Sequence, residues 1–196
     1  MRGVEQIPWI YDAMCWLAER NGLIRWRRKL VAGAEGRTLE VGVGTGRNLP
    51  LYDRDLWVVG LELDRGVLAA ARRRAPWMPL VVASAEHVPF ADGAFDTVVS
   101  GFVFCTVPDP HRGLREIGRV LTNRGELRML EHVRSTRPLW ARWQDTIQPL
   151  WTWVAGGCHP NRDTETTVEA AGFMIHEEGR RRRGNLRLFN ARKAAT

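Results

Sequence analysis

Lysine is nearly missing from this 196-residue sequence: Lys29 and Lys193 are the only two among 29 Lys+Arg, so the net charge of +7 is almost wholly guanidinium. Guanidinium pairs bidentately with phosphate and carboxylate, which suits nucleic acid, anionic lipid or acidic substrates. A general preference for arginine produces the same excess, and composition alone leaves both readings open. Cysteine is scarce too. Cys15, Cys105 and Cys158 lie far apart, with no C-x-x-C pair, which excludes a disulfide framework and a cysteine zinc site. A reducing cytoplasm is the expected compartment. No apolar run reaches the ~18 residues of a membrane span, and no basic segment leads into an apolar stretch and a cleavage site. Spanning and secreted classes are therefore not expected, whereas peripheral membrane contact stays open. Repeats and low-complexity tracts are absent, and no ligand spacing suggests a metal.

What is present fits one domain of about 150 residues with an accessory segment. From Thr38 onward short apolar runs alternate with helical patterns. Strands are predicted at Thr38–Val43, Leu56–Leu63, Leu80–Ala83, Phe95–Gly101 and Gly125–Glu131, and helices at Arg65–Ala75 and Pro110–Val120. This alternation implies right-handed crossovers and an α/β fold with a mostly parallel sheet covered on both faces. Phe173–Glu178 and Leu186–Ala191 are joined by Gly179 to Asn185, too short for a helical crossover, and should form an antiparallel hairpin at the sheet edge. Pro8 to Leu30 reads as one or two helices. Between the fifth and sixth strands Trp140, Trp143, Ile147, Leu150, Trp151 and Val154 share a helical arc of about 100°, with Pro149 opposite and expected to kink the helix.

The strongest chemical signal is Leu39-Glu40-Val41-Gly42-Val43-Gly44-Thr45-Gly46, a strand running into a glycine loop. Such glycines permit positive φ and let a ligand approach bare N–H groups. Glu62 ends the next strand, where a carboxylate can accept both hydroxyls of a ribose. Two details argue against a dinucleotide. Arg47 occupies the third-glycine position, and Glu40 would repel a pyrophosphate while welcoming an ammonium or sulfonium group.

With Val59-Gly60-Leu61-Glu62-Leu63-Asp64, the stretch Ala83-Ser84-Ala85-Glu86-His87-Val88-Pro89-Phe90 to Asp96, and Glu116-Ile117-Gly118-Arg119-Val120-Leu121 leading to Arg124-Gly125, the chain resembles the class I S-adenosylmethionine-dependent methyltransferases along nearly its whole length. The resemblance implies a Rossmann-like seven-stranded sheet, mostly parallel with one antiparallel edge strand, and S-adenosylmethionine as cofactor. It implies that Glu40, Gly42, Val43, Gly44, Thr45, Gly46 and Asn48 surround the methionine part. Glu62 would bind the ribose, Leu63 would flank the adenine, Ser84, Ala85 and Glu86 would meet the adenine edge, and Ser100 and Gly101 would lie near the sulfur. The family usually has aspartate where Ser84 stands, and a hydroxyl accepts more weakly.

Further segments, Phe104-Cys105-Thr106-Val107-Pro108-Asp109-Pro110, Glu131-His132-Val133-Arg134-Ser135 and Gly157-Cys158-His159-Pro160-Asn161-Arg162-Asp163-Thr164, resemble a subgroup of thiol S-methyltransferases and bacterial phosphatidylethanolamine N-methyltransferases. The acceptor is thus expected to be a small molecule or lipid, a thiol or a phospholipid amine. The alternatives are a quinone-biosynthesis C-methyltransferase and, from another class, an RNA-binding or RNA-methylating protein using the basic loop at Arg180 to Arg183. No Asn-Pro-Pro-Tyr or Asp-Pro-Pro-Tyr motif follows the fourth strand, so nucleic acid is not the expected partner. Transfer from a sulfonium needs apposition and exclusion of water more than a strong base. His132 is a candidate base or orienting group, and Tyr11 a candidate in a helix over the cofactor. Tyr11, Asp12, Trp140, Trp143, His159 and Asn161 are candidates for the acceptor pocket; packing on the sheet or helix fastening explains the tryptophans and the His159 cluster as readily. One domain over 1–196 is expected: an N-terminal helical lid (1–37), a cofactor core (38–131), an inserted helical lid (132–165) and an edge-hairpin region (166–196).

Overall fold

The computed structural model describes residues 7–154 and 157–194, with the side chains of 153 and 154 left out. Five parallel strands come first: β1 (Thr38–Val41), β2 (Val58–Glu62), β3 (Leu80–Val82), β4 (Phe95–Gly101) and β5 (Leu121–His132). The hairpin β6 (Phe173–Arg183) and β7 (Leu186–Lys193) completes a sheet ordered β3-β2-β1-β4-β5-β7-β6. β7 runs antiparallel to both β5 and β6, and β6 is outermost. The order reverses between β1 and β4, so the loops leaving these two strands part and open a crevice at the carboxyl ends of the strands.

Burial explains the two-sided sheet. Neighbouring residues on one strand enter different cores, as with Val98 and Val99, Met129 and Leu130, and Leu188 and Phe189. Successive side chains point to opposite faces, so such a strand must be apolar throughout. One core takes Leu114, Ile117 and Val120 from α4 (Pro110–Val120), the other Leu30 and Val31 from α2 (Ile24–Val31) and Leu68 and Ala71 from α3 (Arg65–Arg74). Asp64 caps α3, accepting from the Gly66 and Val67 amides at 2.7 and 3.0 Å, and Asp109 caps α4 through the Arg112 amide at 2.9 Å.

The N-terminal segment forms two helices, within the expectation of one or two: α1 (Pro8–Ala18) meets α2 through a kink at Glu19–Leu23, in which Gly22 adopts φ +104°. Three departures from the expected elements have physical causes. β6 continues through the arginines, because a register shift between His176 and Arg181, with Gly179 at φ +83°, lets the strand bulge and resume pairing with β7. The run is therefore strand, not loop. A short helix that periodicity did not reveal, α6 (Thr164–Ala170), is capped by Asp163. In α5 (Pro138–Val154), which contains Pro149, the apolar stripe faces outward: Ala141 and Gln144 are buried while Trp140, Trp143 and Leu150 are exposed. Gln144 explains this orientation, because its amide meets the Ser135 N–H and the Val133 and Pro160 carbonyls. The side chain of Trp153 lies outside the described residues.

Candidate active site

The crevice at the β1/β4 switch holds a cavity of about 410 Å³, within the range of small-molecule sites. Its floor is the glycine loop. Gly42, Gly44 and Gly46 all have positive φ, and a side chain at Gly44 would meet nothing within 4 Å, so the loop presents bare backbone to open space. Gly42 and Gly46 are glycine for a different reason: a Cβ at Gly42 would strike Val103, and one at Gly46 would press on Ala71.

Glu62 braces this loop. Its Oε2 accepts from the Gly44 amide at 3.0 Å, and its Oε1 from the Leu63 and Asp64 amides at 2.8 and 3.0 Å. Glu62 and Leu63 also line the cavity, as do Gly42, Val43, Gly44, Thr45, Asn48, Ser84, Ala85 and Gly101. Gly46, Glu86 and Ser100 do not. Glu86 accepts from the Asp109 amide at 2.6 Å and so steadies the start of α4. Ser100 is buried, donating to Glu131 at 3.3 Å.

Glu40 sits beneath the floor in a relay: Arg27 Nη1 donates to Asn48 Oδ1 at 2.8 Å, and Asn48 Nδ2 donates to Glu40 Oε1 at 2.9 Å. Burial raises the Glu40 carboxyl to about 7, against the lowering pull of Asn48. Tyr52 lies against it without closing an aligned bond, leaving Glu40 Oε2 and the phenol oxygen unsatisfied. An unsatisfied buried carboxylate oxygen, an open glycine cradle and a braced acidic residue at the end of β2 together fit the amino-acid and ribose parts of S-adenosylmethionine.

The N-terminal helices cover the floor through charges that periodicity does not disclose. Asp12 accepts from Thr45 Oγ1 at 2.7 Å and pairs with Arg47 and Arg74 at 3.2 and 2.8 Å. Arg47 also pairs with Glu19, and Arg74 reaches the Thr45 carbonyl. The guanidinium at the third-glycine position is thus a clasp between glycine loop and α1. Asp12 fastens the helix without lining the cavity, while Tyr11, on the inward side of α1, does line it. Burial pushes the Tyr11 phenol well above its ordinary pKa, with further upward pressure from Cys15, so Tyr11 stays protonated and can donate a hydrogen bond.

The opposite wall is the loop after β4, with Phe102, Val103, Thr106, Val107 and Pro108 facing the cavity. Buried Glu131, at the end of β5, accepts from the Val103 and Phe104 amides at 3.0 and 3.1 Å. Burial raises its carboxyl to about 7 despite these bonds. Phe102 has φ +63°, the only non-glycine residue with positive φ among those described. Its ring contacts the His132 ring at 4.7 Å and lies under the Arg27 guanidinium at 5.4 Å. His132 therefore stands behind Phe102 rather than in the lining. Burial lowers its pKa to about 4, helped by the charge on Arg27, so the imidazole is neutral at ordinary pH.

The remaining acceptor candidates do not converge on the cavity. Trp140 and Trp143 meet edge-on at 5.8 Å on the outer face of α5. Asn161 donates to Asp145, which pairs with Arg134, and His159 contacts the Gly157 carbonyl. The cluster fastens the wall from outside: the His159 amide donates to the Cys105 carbonyl at 2.7 Å, and Arg162 donates to the Phe104 and Val107 carbonyls at 2.7 and 2.6 Å. The Cys105 thiol is raised well above its usual range, chiefly by its hydrogen bond with Cys158 and then by burial, which suits a packing residue. Among the described residues no cluster of His, Cys, Asp and Glu could hold a metal ion. The site residues that escaped sequence reasoning are Arg27, Arg74, Glu19, Phe102 and Glu131. Glu131 alone left a trace, a carboxylate directly after the apolar pair Met129-Leu130 at the end of a strand.

Comparison with known proteins agrees with this geometry. Residues 39–129 match the family described as "Methyltransferase domain". The human Thiol S-methyltransferase TMT1B is 34% identical over 157 residues, which is 74% of this chain and 64% of that protein. A Phosphatidylethanolamine N-methyltransferase of Cereibacter sphaeroides is 40% identical over 111 residues, 53% of this chain and 55% of that one. The chain thus spans about three fifths of the length of the curated relatives it matches. Among solved structures, a SAM-dependent methyltransferase from Thermotoga maritima has a TM-score of 0.72 at 20% identity, covering 96% of this chain and 97% of that one. The order of motifs, the sheet topology and these matches converge: the chain carries a methyltransferase domain of the class I, S-adenosylmethionine-dependent group.

Proposed function

We propose that the chain transfers a methyl group to a small or amphiphilic acceptor, a thiol or a phospholipid amine, with the thiol favoured. One observation carries this preference: the acceptor wall of Phe102, Val103, Thr106, Val107 and Pro108 offers no basic side chain, and the buried cation Arg27, itself in the cavity lining, stands over the Phe102 ring. S-adenosylmethionine supplies an electrophilic methyl on a sulfonium, which a nucleophile displaces in line. An acceptor that attacks as an anion gains from Arg27, whereas an ammonium would be repelled and would have to lose its proton first. Tyr11 orients the acceptor as a hydrogen-bond donor, and α1 with the Phe102 loop excludes water. A thiol proton needs no relay through the protein, since a thiolate forms readily near neutral pH when a cation stands nearby.

The thiol and phospholipid names of the relatives support both arms of this reading. Carbon methylation of a quinone ring, the second reading, demands a base that His132, weakened as a base by burial and standing behind Phe102, is poorly placed to be. The three buried free thiols accord with a reducing, cytoplasmic setting. Among the described residues no helix is long and apolar enough to cross a membrane.

A labelled-methyl assay with an aliphatic thiol, phosphatidylethanolamine, a demethylated quinone and RNA in parallel tests the proposal. Transfer to the thiol or the lipid amine is the expected result. Transfer to the quinone alone or to RNA alone overturns it.

A further inference from the structure

A second concavity, about 1120 Å³ and sharing no lining residue with the cofactor crevice, lies between the broken N-terminal helix and the β6–β7 hairpin. Its walls carry Arg20, Arg25 and Lys29 from the helices and Arg181, Arg182 and Arg183 from β6. None of these six cations has a carboxylate partner among the described residues. Glu19, the one acidic residue in the lining, is engaged by Arg27 and Arg47, while Arg180 is balanced by Glu165 and Glu177. Both breaks in regular structure border this grouping. The bulge near Gly179 carries β6 on through the arginines, and Gly22, at φ +104°, lies beside Arg183, whose Nη1 is at ordinary contact distance, 3.6 Å from where a side chain would begin. Six like charges lining one concavity repel one another unless an anion joins them.

Beside these charges α1 turns an apolar face to solvent. Trp9 is 73% exposed, Leu17 59%, Trp16 55% and Met14 49%, whereas Cys15 on the opposite side is buried. Trp16 belongs to both features, lining the concavity and lying under the Arg20 guanidinium at 4.9 Å. A surface offering phosphate and hydrocarbon together matches this pairing. A nucleic acid would answer the arginines but leave Leu17 and Met14 in water.

We infer that this groove docks the protein on a bilayer rich in anionic phospholipid, with the six cations at the headgroup phosphates and the outer face of α1 entering the interface. Docking uses the side of α1 opposite Tyr11, so the acceptor crevice stays clear. The inference does not depend on which acceptor is methylated. Membrane contact read without turnover, and turnover of a water-soluble thiol read without membrane, can each fail alone.

Flotation of the full chain with vesicles tests it. The chain should float with phosphatidylcholine vesicles containing phosphatidylglycerol, not with phosphatidylcholine alone, and high salt should weaken the association. The triple variant Arg181→Ala/Arg182→Ala/Arg183→Ala should lose on the order of 100-fold in partition coefficient while keeping its Tm and its affinity for S-adenosylhomocysteine. Arg25→Ala/Lys29→Ala, on the helix side, guards against a hairpin that fails to fold and should lose on the order of 10-fold. Equal flotation with both vesicle types, no flotation, wild-type binding by a folded triple variant, or displacement from vesicles by stoichiometric RNA or by inorganic phosphate would overturn the inference.

Discussion

Helices α1 and α5 both carry tryptophans and both flank the crevice loops, yet their polar residues give them different duties. Asp12 of α1 reaches the glycine loop through Thr45, Arg47 and Arg74, and the same helix brings Tyr11 into the cavity. Helix α5 reaches neither. Its Gln144 and Asp145 bind the segments around Val133 and Pro160 to Asn161, and those segments in turn hold the Phe104–Val107 wall through Cys158, His159 and Arg162. Aromatic content identifies a surface helix here, and a few charged or amide side chains decide what that helix covers.

The comparison breaks most readily at the clasp. Arg47→Ala removes one of the two cations held by each of the partly buried acids Asp12 and Glu19, leaving them Arg74 and Arg27, and a loss of roughly 2–3 kcal/mol in urea unfolding is expected. Affinity for S-adenosylhomocysteine should fall at least ~10-fold with it, since α1 then loosens from the glycine loop. Arg162→Ala, the equivalent cut on the α5 side, should cost about 1–3 kcal/mol by leaving two carbonyls unpaired, yet change that affinity less than ~2-fold. Equal effects on cofactor affinity would erase the distinction between the two helices.

Catalysis sharpens the same contrast at smaller magnitude. Tyr11→Phe removes the one hydroxyl that α1 brings to the cavity and should lower kcat/KM about 5- to 10-fold, measured with saturating cofactor. Trp143→Ala, on the outer face of α5, should alter kcat/KM for a soluble acceptor less than ~2-fold. His132→Gln should leave the pH–rate profile unchanged above about pH 5, because its pKa of about 4 keeps the imaginary titration step of a base below that range.

The buried acids beneath the two loops give a stability signature. Glu40 and Glu131 both have carboxyls raised to about 7 by burial. Because the folded pKa exceeds the unfolded value, their contribution is complete below about pH 4.5 and is lost as pH rises through 7. His132 acts in the opposite sense: its folded pKa is depressed, so its contribution is present above about pH 6.5 and is lost on descent toward 4. Glu40→Gln, which keeps an acceptor for Asn48, should flatten the decline in stability between about pH 4.5 and 7, followed by urea unfolding. An unchanged decline would mean that Glu40 ionises without cost.

Much of this architecture is legible in the residues. β4 and α4 fall at the predicted boundaries because Phe95–Gly101 is bounded by turn residues and α4 opens with Asp109-Pro110, a cap and a first-turn proline. The glycine loop and Glu62 were readable because each needs a particular residue type. The clasp was not. Asp12, Glu19, Arg47 and Arg74 are up to 62 residues apart, and nothing in an arginine-rich chain distinguishes Arg27 or Arg74 from the solvated ones. The outward stripe of α5 was misleading for a related reason: periodicity reports which residues share a face, and Gln144 determined which face turned inward.

The central claim is that the β1/β4 crevice is a cofactor site built by the glycine loop, Glu62 and the Glu40 relay. Isothermal titration of the full chain with S-adenosylhomocysteine tests it most directly. One molecule bound per chain, with affinity weakened at least ~10-fold by Glu62→Ala, is the result this account predicts. A silent titration of the folded protein, or unaltered affinity in a folded Glu62→Ala variant, would contradict it.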